Sequence, residues 1–132
     1  MNRKLIITAA IVLASSLPVA SFSADKHGHD HGHQPLYGGI VAEAGDLNYE
    51  LVAKPDSLTI YVTDHGKPVA ATGARGTATV HSGNEKTTAV LEPAGENKLS
   101  AKGSFKQGVG VRVAATVALA GKPEAKLNFR LK

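Results

Sequence analysis

Val109-Gly110-Val111-Arg112-Val113-Ala114-Ala115-Thr116-Val117 sets the pattern by which the rest of the chain is read. Valine or alanine at each odd position alternates with glycine, arginine, alanine and threonine, a period of two that puts every second side chain on one face of a pleated strand. Branched residues suit that backbone, because their restricted χ1 packs well on a pleat. The stretch predicts a strand with Val109, Val111, Val113, Ala115 and Val117 turned inward.

The same period recurs on both sides. After the turn residues Ala120-Gly121-Lys122-Pro123, Ala125, Leu127, Phe129 and Leu131 alternate with Lys126, Asn128 and Arg130. Upstream, Lys98 to Lys102 reads as a short strand behind the break Pro93-Ala94-Gly95-Glu96-Asn97. Gly76–Val80 and Lys86–Leu91 form a hairpin about Ser82-Gly83-Asn84-Glu85. A short segment near Val69 follows the tight connection Asp64-His65-Gly66-Lys67, which follows the strand Leu58–Thr63 with Leu58, Ile60 and Val62 inward. Before Pro55-Asp56-Ser57, Asp46 to Ala53 alternates with Leu47, Tyr49 and Leu51 inward and Asn48 and Glu50 outward. About seven short strands, spaced by about ten residues and with no helical period among them, predict an all-β fold over residues 36–132. The expected form is a small antiparallel β-sandwich of Ig-like type, with an open or closed barrel as the alternative.

The N-terminus has a different character. Asn2-Arg3-Lys4 precedes an uncharged apolar run from Leu5 to Leu17, closed by Pro18 and followed by the small residues Ala20, Ser21, Ser23 and Ala24. This predicts a secretory signal peptide over residues 1–24, hence a periplasmic or secreted protein. The run falls short of the roughly 20 residues a spanning helix needs, so no permanent membrane anchor is expected. There is no cysteine, which excludes disulfides, thiolate ligands and a lipidated N-terminal cysteine. With Arg3 and Lys4 removed the net charge of +4 falls to +2, and the remaining lysines are scattered, which argues against nucleic-acid binding.

Residues 25–35 read as a flexible polar tail, and its core is Asp25-Lys26-His27-Gly28-His29-Asp30-His31-Gly32-His33. Neutral imidazole carries a lone pair that binds transition metals. Residues two apart in an extended chain lie roughly 6.5–7 Å apart on one side, so His27/His29, His29/His31 and His31/His33 can each chelate one ion. Gly28 and Gly32 let the chain curl to recruit further nitrogens, and Asp30 offers an oxygen. Without thioether or thiolate ligands in the mature chain, the expected ions are Cu(II) or Zn(II), with Ni(II) and Co(II) also suited to imidazole. Cleavage after Ala24 would place His27 third from a free amine, in a square-planar Cu(II) or Ni(II) site; cleavage after Ser23 or Ser21 would not. His65 and His81 are secondary metal candidates in or beside turns. No Gly-x-Ser-x-Gly elbow, His-Glu-x-x-His motif or cysteine nucleophile is present, and the carboxylates Asp56, Asp64, Glu85 and Glu96 fall in separate turns, so no enzyme is expected.

The stretch Tyr37-Gly38-Gly39-Ile40-Val41-Ala42-Glu43-Ala44-Gly45-Asp46-Leu47-Asn48-Tyr49-Glu50-Leu51-Val52, with Leu58 to Val69, resembles a small family of exported proteins. These are similar to a segment of the periplasmic adaptor subunits of heavy-metal efflux pumps of the resistance-nodulation-division type. The resemblance implies a periplasmic accessory to metal handling that receives or passes ions near an efflux complex. Tyr37 stands where that family often has histidine before the Gly-Gly pair, which leaves the tail as the main ligand source. The alternative is a non-catalytic interaction module of the cell envelope that carries its histidines incidentally.

Overall fold

The alternating stretches form strands, and each pairing between them is antiparallel, in the computed structural model, which describes residues 34–132. The expected signal peptide and the tail residues up to His33 lie outside the described residues. The strands are β1 (Ile40–Ala44), β2 (Leu47–Lys54), β3 (Ser57–Asp64), β4 (Lys67–Pro68), β5 (Arg75–Ser82), β6 (Glu85–Pro93), β7 (Lys98–Lys102), β8 (Arg112–Ala118) and β9 (Ala125–Arg130).

Their hydrogen-bonded order is β1-β2-β3-β7-β6-β5-β8-β9, with β4 beside β3. The path curls until β1 packs against β9, so the sheet is rolled almost into a barrel. The join in the middle is β6. Residues Glu85 to Leu91 of this strand pair with β5, and only Glu92 and Pro93 reach across to Ser100 and Leu99 of β7.

The side chains on the concave face meet in one core. Tyr49, Leu51, Leu58, Ile60, Val62 and Leu99 come from the first half of the path, and Val80, Leu91, Val113, Val117, Leu127 and Phe129 from the second. Fully burying each of the larger aliphatic side chains contributes about 1.5–3 kcal/mol, the driving force that rolls the sheet.

The antiparallel all-strand fold is as expected, and three details differ from the sequence reading. The strands number nine among the described residues rather than about seven, because Ile40–Ala44 and Lys67–Pro68 also pair. They follow one continuous path instead of dividing into two separate sheets, because β6 is long enough to serve both halves. The strand expected from Val109 begins instead at Arg112. Gly108 and Gly110 take φ values of 108° and 91°, a turn that carries Val109 out to 90% exposure. Val111 is buried outside the strand, and its carbonyl accepts from the Leu131 N–H.

Candidate functional site

Glu50 sits on the convex face of β2, where the period of two places it, yet it is only 4% exposed. The cover is the segment Leu36–Gly39, which crosses β2 as a strap. Leu36 N–H donates to Glu50 Oε1 at 2.6 Å, while the N–H groups of Tyr37 and Gly39 donate to Oε2 at 2.7 and 2.8 Å. A carboxylate that accepts three backbone donors satisfies amides that would otherwise lack partners, through short charge-assisted bonds.

The strap is fastened a second time by Tyr37. Its ring stacks on Tyr61 of β3 with centroids 3.9 Å apart and planes 7° from parallel. The buried Asn97 donates through Nδ2 to both Tyr37 Oη, at 3.1 Å, and the Val62 carbonyl, at 3.0 Å. Gly39 is required by space. A Cβ there would overlap the Leu51 carbonyl, so a side chain would lift the strap from β2.

The strap delivers the chain to the β3–β4 turn. Gln34 and Leu36 share a depression of about 430 Å³ with Val41, Asn48, Glu50, Thr63, His65 and Gly66. His65 and Gly66 both have positive φ, 50° and 82°, as a type I′ hairpin turn demands of its two central residues. That conformation holds the His65 side chain outward at 86% exposure. Its Nδ1 lies 2.6 Å from Asp64 Oδ1. A carboxylate at that distance accepts from an Nδ1–H, which assigns the neutral ring its lone pair at Nε2. This is the carboxylate–histidine arrangement that orients metal-binding imidazoles.

The sequence candidates thus separate. His27, His29, Asp30, His31 and His33 lie outside the described residues, but His33 immediately precedes Gln34, which shares the depression with His65. His81 is elsewhere, on the convex face of β5 in a shallow concavity with Arg112, Ala114, Asn128 and Arg130. His65 and His81 do not share a site, and among the described residues no three ligating side chains converge. Glu50 and Asn97 are not singled out by the sequence, and Tyr37 is noted there only as a departure from histidine, not as a fastening of the strap. Glu50 reads there as one more polar residue on an outward face, and only the chain crossing above it gives it a role.

Neither a protein-family model nor a curated protein matches the chain. Among solved structures, the fold is similar to that of a DUF4426 family protein from Pseudomonas aeruginosa PAO1. The match has 19% identity and a TM-score of 0.47, covering 68% of this chain and 92% of the other.

Proposed function

We propose that the protein is a periplasmic metal-binding accessory in heavy-metal homeostasis or efflux. His27, His29, His31 and His33, with Asp30, capture a divalent transition ion, and His65 supplies a fixed nitrogen where the tail joins the fold. The observation that carries this reading is the Asp64–His65 pair on a turn that shares its depression with Gln34. From Gln34 back to His27 is seven residues, or about 24 Å when fully extended, so each tail histidine can reach His65.

A pre-oriented imidazole lowers the entropic cost of closing a site, because one ligand is already held and only the tail must be ordered. Cu(II) and Zn(II) suit this set of nitrogens and oxygens best, and Ni(II) and Co(II) are also compatible. At the finer level we read the curled sheet as two facing layers hinged at β6, an Ig-like sandwich that acts as scaffold. Its partner is a periplasmic component of a metal efflux system.

Calorimetric titration of the exported protein with Zn(II) or Cu(II) tests the reading, alongside a form lacking residues 25–34. Deletion should abolish most of the binding and leave only the weak contribution of His65. Unchanged stoichiometry without the tail would refute it.

A further inference from the structure

The convex face of the second half of the sheet has its own charge pattern, unrelated to the histidine tail. His81 stands directly opposite Lys86 on one side and Arg112 on the other, and Arg112 stands opposite Arg130. One row across four strands therefore reads Lys86, His81, Arg112, Arg130. With neighbouring strands about 4.8 Å apart, it spans about 14 Å. Like charges directly opposite one another destabilise a sheet. Among the described residues no ion pair relieves Lys86, Arg112 or Arg130, and the nearby Glu85 is engaged by Lys106 at 3.7 Å.

The rest of this face is uncharged next to the row and held by hydroxyl pairs: Thr79 to Thr88 at 3.2 Å and Thr77 to Thr116 at 2.9 Å. At the same end the Gly108-Val109-Gly110 turn projects Val109, which borders a hollow with Arg112 and Arg130. A valine 90% exposed beside two arginines pairs an apolar tip with a cationic rim. An anionic partner with an apolar layer beneath its charges complements both features, and a phospholipid bilayer has that layering, whereas a soluble polyanion leaves the valine unused.

We propose that this end of the molecule docks reversibly on an anionic phospholipid surface, with Lys86, Arg112 and Arg130 among the headgroups and Val109 entering the interface. The proposal is independent of metal binding. Each cation near an anionic surface strengthens partitioning about fivefold, so Arg112→Gln with Arg130→Gln should weaken it about 25-fold.

The test uses the exported protein, with chelator present so that metal bridging by the tail is excluded. It should co-sediment with vesicles of phosphatidylglycerol and phosphatidylethanolamine at about 0.1 M salt, be released at about 1 M salt, and ignore vesicles of phosphatidylcholine alone. The chain has no tryptophan, so Val109→Trp gives a single reporter whose emission should shift to the blue on anionic vesicles. The double arginine variant, shown to be folded by a Tm no lower than that of the parent, should lose the binding. Equal binding to both vesicle types, retention by the double variant, unshifted indole emission from the Val109→Trp protein, or capture of inorganic phosphate without any vesicle binding would each overturn the proposal.

Discussion

Replacing Glu50 with glutamine tests whether one carboxylate ties the histidine-bearing end of the chain to the fold. Glutamine keeps the shape but has one acceptor oxygen instead of two, and its NH2 faces a donor wherever it replaces an oxygen. If its oxygen stays with the Tyr37 and Gly39 N–H groups, the Leu36 N–H meets a second donor. One lost bond costs about 1.5–2 kcal/mol, and losing the charge on the other two costs about 0.5 kcal/mol each, giving about 2.5–3 kcal/mol in all. Because the strap lies at the surface, that cost falls on its attachment rather than on the core. A change of about 2.5–3 kcal/mol corresponds to about a hundredfold in the opening equilibrium. Amide hydrogen exchange should accordingly quicken about a hundredfold at Leu36, Tyr37 and Gly39 and change little at Ile60 or Leu91. Unchanged exchange at the strap would refute the clamp. Uniform acceleration throughout the sheet would show that Glu50 supports the whole fold instead.

Three other outcomes follow from the same geometry. Asp64→Ala removes the acceptor that orients His65 and should weaken Zn(II) or Cu(II) binding about 10- to 100-fold with Tm unchanged; equal affinity by calorimetry would show that His65 takes no part. Ile60→Ala empties a fully buried position and should cost about 2–5 kcal/mol in denaturant unfolding, whereas Val90→Ala on the exposed face should stay within about 0.5 kcal/mol. Burial raises the Tyr49 phenol above its ordinary value of 10.0. The folded state then holds its proton longer than the unfolded chain, so this group's contribution is intact below pH 10.0 and lost as pH rises through the higher folded value. Alkaline unfolding should therefore begin later in Tyr49→Phe, and coincident alkaline curves for the two proteins would contradict that linkage.

Most of the strands are legible because a half-buried sheet leaves its period of two in the chain. Leu47, Tyr49 and Leu51, then Leu58, Ile60 and Val62, then Leu127 and Phe129 all lie inward as their spacing demands. The same signal misplaces Val109, since alternation continues unbroken through a turn whose direction is set by the φ values of two glycines. β1 does not stand out as a strand of its own because Ile40-Val41-Ala42-Glu43-Ala44 has no clean alternation, and its pairing with β2 does not depend on one.

The chain by itself determined an all-strand domain, the turns that divide it, and a row of nitrogen donors ahead of it, since these follow from local period and residue type. Only the tertiary structure decided that the sheet would roll into one path through β6. It also decided that Glu50 would be roofed by Leu36–Gly39, and that His65 would stand where the tail joins the fold while His81 stands in a row of cations on another face. Those are meetings between residues far apart in sequence. They are fixed by which strands pair and by what crosses above them, and no periodicity in the chain records either.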